Sequence, residues 1–382
     1  MRTILYFQAT GKDSARQKLE GVYAYGRERD WDVQVIEPGA SERKATELVR
    51  FWEPDGVIVE CGSEQNHFTS RLFAKTPVVF LDRNPKALAT PAFCITHDSA
   101  ATAKVAAREL LSLKLASYAY VPWPEPRFWS EEREAGFATA LRLNGHGYAR
   151  FGGKAKSSDI RALQRELGTW LANLPKPVGI FAANDFMSAQ VAAAASRAGL
   201  NIPEGIALVG VDNDELLCEN TKPTLSSVMP DFRSAGEKAA AMLARLMANP
   251  KCRPTAETFG PLKLVRRTST NRSKRIDRDV LAALDLIRRE ACNGLRARDV
   301  FASFACTRRM AEIRFRAATG KSPLEAIQEV RHAKAKELLK DSTRDRNAIA
   351  NLCGYSSANA LANFLRRFAD ENSHKTATAS LR

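Results

Sequence analysis

Residues 178–214 read VGIFAANDFMSAQVAAAASRAGLNIPEGIALVGVDND, and their order decides the architecture. Val178 to Ala182 is a short apolar run of strand type. Phe186 to Ala198 follows at helical period, and Ile206 to Val211 is a second apolar run. A strand, a helix and a further strand of this kind form a parallel unit buried on both faces. Each run ends on polar side chains: Asn184 and Asp185 after the first, Asp212, Asn213 and Asp214 after the second. In open parallel sheets, ligands bind at such carboxyl ends.

Upstream the same alternation repeats. Thr3 to Phe7, Asp32 to Ile36, Gly56 to Glu60 and Val78 to Asp82 read as strands, with helices over Ser14–Arg29, Ser41–Phe51 and Ser99–Leu113. A second block runs from Tyr118 to Val121 through the opening segment, then to a helix over Asp231–Met247 and a strand over Lys263–Arg267. The expected fold is α/β, two doubly wound parallel-sheet lobes with a cleft between their strand ends. Lobe 1 is expected over about 1–115 and 229–267, and lobe 2 over about 116–228. Residues 268–276, rich in Ser, Thr, Asn and Arg, read as a linker. From 277 to 382 helical periods dominate, so an all-α domain closes the chain.

Charge follows this division. Of 58 Lys and Arg and 43 Asp and Glu, the segment from Arg266 onward holds 25 basic and 13 acidic residues, a net +12. A nearly neutral body thus carries a basic tail, which points to nucleic acid. Met1-Arg2-Thr3 leads into an apolar run too short for a secretory signal, and no stretch is long enough to span a membrane. The seven cysteines form no Cys-x-x-Cys pair. A reduced, cytoplasmic chain with no membrane partner and no cofactor is expected.

Within the tail, Phe301 to Phe315 reads as two short helices around a turn, with Thr307 capping the second. Ala348 to Phe368 repeats the arrangement, with Gly354 at the turn and Ser357 as a cap. These are two helix-turn-helix units. Base-edge candidates are Arg308 and Arg309 in the first, and Ser357 and Asn359 in the second, with the cap Thr307 and Asn363 as further DNA-binding residues. Arg314, Arg316, Arg366 and Arg367 are placed for phosphates. In the body, Asp98, Arg133, Asn184, Asp185 and Asp212 form a set of carboxylates, an amide and a guanidinium suited to sugar hydroxyls. Phe128, Trp129 or Trp123 could supply an aromatic wall.

Arg331-x-x-x-Ala335-x-x-Leu338-Leu339, Ile349-Ala350-x-x-Cys353-Gly354-Tyr355 and Arg366-Arg367 give the tail a resemblance to the AraC/XylS family of transcription factors. The Ala-Asn-Asp stretch ending at Asp185, Gly199-Leu200-x-Ile202-Pro203-Glu204, Val209 to Asn213, Leu225 to Val228 and Arg267-x-Ser269-Thr270 make the body resemble the lactose-repressor family. That family's ligand domains share the periplasmic-binding-protein fold. The resemblance implies an effector bound at Asp98, Arg133, Asn184 and Asp212. The order, effector domain first and DNA-binding domain behind, resembles regulators of the XylR type.

The function expected is a sequence-specific transcription regulator of sugar-utilisation genes, an activator controlled by a monosaccharide such as xylose or another pentose. Its expected partners are double-stranded DNA half-sites, the sugar, a second copy of the chain and RNA polymerase. The alternative is a sugar-processing enzyme using the α/β cleft. Against it, the chain shows no Walker loop, no dinucleotide-binding glycine pattern and no nucleophile elbow. A second alternative, an extracytoplasmic sugar-binding protein, fits the basic tail poorly.

Overall fold

A computed structural model describes residues 1–61, 68–84, 91–271, 278–340 and 344–379, with side chains through Phe368 in the last helix. The chain divides into two units, Met1–Asn271 and Arg272–Arg382.

The first unit opens with β1 (Arg2–Phe7), α1 (Asp13–Arg27), β2 (Trp31–Ile36), α2 (Glu42–Trp52), β3 (Gly56–Glu60), β4 (Val78–Leu81), β5 (Phe93–His97) and α3 (Ser99–Ser112). It continues through β6 (Ser117–Val121), α4 (Phe128–Arg142), β7 (Ala149–Arg150), α5 (Ile160–Asn173), β8 (Val178–Ala182), α6 (Asp185–Arg197), β9 (Ile206–Val211) and α7 (Glu215–Asn220). It closes with β10 (Ser226–Pro230), α8 (Phe232–Ala248), β11 (Ala256–Phe259) and β12 (Pro261–Val265). One sheet has the order β11-β5-β4-β3-β1-β2 and the other β12-β10-β9-β8-β6-β7. All pairings are parallel except β10 with β12. The central strands β1, β3, β4, β8 and β9 are buried on both faces because each is mostly an apolar run of Val, Ile, Leu, Ala and Phe, covered by helices on either side, whereas β2, β7, β11 and β12 are partly exposed.

Two expected lobe limits shift. Helix α3 packs in the second lobe, because Ala103, Ala106, Ala107 and Leu110 bury against Tyr120, Phe137 and Phe181. Strand β12 pairs with β10 and so also joins the second lobe. The chain therefore crosses between lobes at Asp98, Asp231 and Gly260. The crossings are tied together: Asp98 N–H donates to Phe259 C=O at 2.8 Å, and Asp231 N–H to Gly260 C=O at 3.0 Å.

Helices α1 and α8 meet at backbone distance. A Cβ on Gly236 would lie 1.8 Å from the Lys18 carbonyl oxygen, and one on Gly21 would lie 2.1 Å from that of Arg233. Only glycine permits this approach.

The expected linker begins later than its composition suggests. Thr268–Thr270 form a buried turn. Ser269 Oγ donates to Leu208 C=O at 2.6 Å and accepts from Ser226 N–H at 2.8 Å. These hydroxyls satisfy interior backbone groups and do not face solvent. Residues 272–276 of the expected linker lie outside the described residues.

The second unit comprises α9 (Arg278–Glu290), α10 (Ala297–Ala302), α11 (Arg308–Thr319), α12 (Pro323–Leu338), α13 (Arg346–Leu352) and α14 (Ala358–Ala379). Val280, Ile287, Val300, Phe315 and Ile327 gather α9–α12 around one core, and Ala335, Ile349, Cys353 and Leu361 gather α12–α14 around another. Thr307 Oγ1 accepts from Met310 N–H, Ser357 Oγ from Ala360 N–H at 3.2 Å, and Ser322 with Glu325 closes a capping box on α12. Gly354 turns the chain between α13 and α14 at φ +79°, its Cα facing the Cys292 carbonyl.

Candidate functional site

The strand ends of the two sheets enclose a cavity of about 290 Å³. From the first lobe come Lys18 on α1, Glu60 at the end of β3, Asp82 after β4 and His97 at the end of β5. From the second come Trp123 after β6, Phe128, Trp129 and Arg133 on α4, Asn184 after β8 and Asp212 after β9. Asp82 (φ +57°) and Asp212 (φ +106°) both sit in left-handed backbone, a strain concentrated where carboxylates must be aimed.

Lys18 is 4% exposed. Its Nζ donates to Glu60 Oε1 at 2.7 Å and to Asp82 Oδ2, while Glu60 Oε2 accepts from Ala9 N–H at 3.0 Å. Burial pulls the ammonium pKa down, but Asp82 and Glu60 outweigh it and hold the group above the usual lysine range. The result is a rigid, charged floor.

Arg133 is the centre of the opposite wall. Its Nη1 donates to Ala183 C=O, its Nη2 to His97 Nδ1 at 3.1 Å, and Asp212 Oδ1 lies 3.7 Å away. The guanidinium stands 4.9 Å over the Trp129 ring. Arg133 Nε is buried without a partner among the described residues. Burial, then Arg133, then Lys18 push the His97 pKa well down, so the ring is neutral. Accepting at Nδ1 leaves its Nε2–H to donate to Thr102 Oγ1 at 2.8 Å, and the ring stacks on Phe259.

Of the residues expected from the sequence, Arg133, Asn184, Asp212 and Trp129 line this cavity. Asn184 caps α6 through Oδ1, accepting from Met187 N–H at 3.0 Å, which leaves its NH₂ for the cavity. Asp98 is placed elsewhere: it caps α3 through Ala101 N–H at 2.8 Å and lines an adjoining cavity with Ser99 and Lys104. Asp185 lies behind the wall, accepting from Asp214 N–H at 2.9 Å. Lys18, Glu60, Asp82 and His97 were not expected. Glu60 and Asp82 each end an apolar strand, and Lys18 shares the buried face of α1 with Ala15 and Val22.

Burial, then the nearby Asp212 charge, raise the Asp185 carboxyl from 3.8 to about 7. Between these values the unfolded chain releases the proton and the folded one keeps it, so stability falls as pH rises through that window. Asn retains an acceptor for Asp214 N–H. Asp185→Asn is therefore expected to match the wild type near pH 4 and exceed it at pH 8 by on the order of 4 kcal/mol. Urea midpoints measured across pH check this, and parallel curves for the two proteins would exclude Asp185 as the titrating group.

In the second unit, Arg309, Arg316, Asn359, Asn363, Arg366 and Arg367 are exposed on α11 and α14. Arg308 lies 5.3 Å over the Phe301 ring. Thr307 and Ser357 act as helix caps. Arg314, expected at a phosphate, instead turns inward. It pairs with Asp279 at 2.8 Å and stacks on Phe304, because α9 offers it a carboxylate.

No helix among the described residues is long and apolar enough to cross a membrane, and no group of metal-ligand type is present among them. Residues 107–270 match the periplasmic binding protein-like domain family, and residues 301–377 a helix-turn-helix domain family. The xylose operon regulatory protein of Escherichia coli K12 is 27% identical over 363 residues, covering 93% of this chain and 91% of the relative. That of Haemophilus influenzae is 27% identical over 351 residues, 90% and 89% of the two. Among solved structures, the xylose-binding transcription activator XylR aligns with TM-score 0.62 at 25% identity, over 97% of this chain and 96% of that one. The CelR–cellobiose complex shares the fold of the first unit, with TM-score 0.58 at 19% identity over 70% of this chain and 84% of that one. Domain content, domain order and this full-length similarity agree: the chain is a DNA-binding transcription regulator similar to those of the XylR type, with a periplasmic binding protein-like effector domain followed by a helix-turn-helix domain.

Proposed function

We propose that this regulator activates sugar-utilisation genes in response to a monosaccharide of the pentose class, xylose being the first candidate, held between the two lobes. The observation that carries the reading is the unpartnered Arg133 Nε in a cavity otherwise furnished for hydroxyl groups. Asp212 and Asp82 accept from vicinal hydroxyls, Asn184 and Arg133 donate, and Trp129 with Trp123 covers the apolar ring face. The cavity of about 290 Å³ has room for a monosaccharide. Asp98 and Asp185 act from beside and behind the cavity.

The sugar binds the closed arrangement more tightly than the open one, since only differential affinity shifts the balance. Closure then alters how the helix-turn-helix domains of a homodimer meet tandem half-sites and RNA polymerase. Phosphates are held by Arg316, Arg366 and Arg367, and base edges by Arg308, Arg309, Asn359 and Asn363 from helices capped at Thr307 and Ser357; Arg314 supports α11 from within. The xylose named for the relatives supports the choice of sugar.

A thermal-shift screen over pentoses and hexoses tests the effector. At one hundred times Kd the matching sugar adds about 2.7 kcal/mol, a rise of at least ~5 °C. Arg133→Lys keeps a cation beside Asp212 but removes Nε and the planar fork, and is expected to weaken binding about 10- to 100-fold. A flat response to every monosaccharide would overturn the reading.

A further inference from the structure

Helices α11 and α14 are built on one plan. Each starts from a hydroxyl cap, Thr307 or Ser357, and each buries the corresponding turns, Ala311 and Phe315 in the first, Leu361 and Leu365 in the second. Their outward faces therefore correspond position by position. Arg309 matches Asn359, Glu312 matches Ala362, Ile313 matches Asn363, and Arg316 matches Arg366. The side chains at the centre of the two faces differ in kind. Ile313 is 52% exposed, with Met310 beside it at 48%, on a helix whose other long outward side chains, Arg308, Arg309, Glu312 and Arg316, are charged. Asn363 presents an amide, whose Oδ1 accepts from Arg366 Nη2 at 3.2 Å.

An apolar residue set between two exposed arginines gains free energy when a partner that takes up the arginines also covers it, because its apolar surface then leaves water. The flanking Arg309 and Arg316 favour an anionic partner. Duplex DNA supplies both parts, with phosphates for the arginines and, in the major groove, an apolar group in the thymine 5-methyl. An amide in the same place instead suits the paired acceptor and donor of adenine.

We infer that Ile313 is the specificity-determining residue of the first recognition helix, packing on a thymine methyl where Asn363 in the second takes an adenine edge. This rests on the reading of α11 and α14 as the groove-entering helices.

The test uses the full-length chain and duplexes selected from a randomised pool. In the selected sequence, replacing thymine by uracil at the Ile313 position removes only the methyl. The wild type is expected to lose about fourfold in affinity, equivalent to ~0.8 kcal/mol per buried carbon group. Ile313→Asn is expected to reselect adenine for thymine at that position, to be indifferent to uracil there, and to leave the other half-site unchanged. Equal wild-type affinity for thymine and uracil, with Ile313→Asn reselecting the original sequence, would overturn the inference while leaving DNA binding intact. A loss of self-association in Ile313→Asn, without a change of sequence preference, would assign the patch to a second copy and also overturn it. Failure of the wild type to enrich any duplex in a salt-dependent manner would remove the groove-entering reading itself.

Discussion

Exchanging Lys18 for methionine is expected to lower the stability of the effector unit by about 3–5 kcal/mol, because it strips the shared cation from buried Glu60 and from Asp82. Methionine fills a similar volume, so the loss reports charge and not a void. The wild-type lysine pKa is raised above 10.5 in the folded state. Its contribution is therefore complete below that value and fades only as pH climbs through the folded one, so the deficit is constant across neutral pH. Adding Glu60→Gln and Asp82→Asn to Lys18→Met removes the orphaned charges and should recover most of the loss, since a buried ionic cluster is not itself a large source of stability. Urea titrations of the single and triple variants measure both. A deficit under 1 kcal/mol for Lys18→Met would mean that the floor of the cleft is solvated and its carboxylates are free to turn. The triple variant, though folded, should no longer answer to sugar.

The second large effect is expected at Gly236. Alanine there improves intrinsic helix propensity by ~1 kcal/mol, yet its Cβ would fall 1.8 Å from the Lys18 carbonyl oxygen. Backbone cannot step aside as a side chain can, so α1 and α8 must part and loosen the contacts of Val22, Ala235 and Ala239. The overpacking cost lies at the upper end of its range, ~3 kcal/mol, so the net change is destabilising by ~2 kcal/mol or more. Lys18 moves with α1, so the sugar-induced thermal shift should shrink as well. Gly168 on α5, with nothing within 4 Å of a built Cβ, is the control of opposite sign: Gly168→Ala should stabilise by about 0.5–1 kcal/mol. If Gly236→Ala proves equally stabilising, the two helices do not touch at these glycines.

Much of this was legible in order and pattern. Each apolar run that ended in Asp or Asn became a buried strand with its polar residue at the cleft, as at Asn184 and Asp212. The same rule, applied to Glu60 and Asp82, would have found the first-lobe wall. Lys18 was harder, since a lysine on an amphipathic helix ordinarily faces water. Its partners lie 42 and 64 residues away in sequence, and only the packing of α1 against α8 brings them together. Strands β5 and β11 were missed because Thr96, His97, Glu257 and Thr258 break the apolar runs. Hydroxyl-rich residues 268–270 resembled a linker because composition does not show that the hydroxyls meet interior carbonyls. Arg314 shows the converse: a cation on an exposed-looking helix was claimed by Asp279 of a neighbouring element.

The hydrogen bonds that lash the lobe crossings to one another, from Asp98 to Phe259 and from Asp231 to Gly260, act like the spine of a book. Each bond joins one crossing strand to the next, so the crossings move as one band when the covers turn. With the crossings held side by side, a swing of the covers is the motion that disturbs them least, and a small molecule gripped by both covers would hold the unit at one opening.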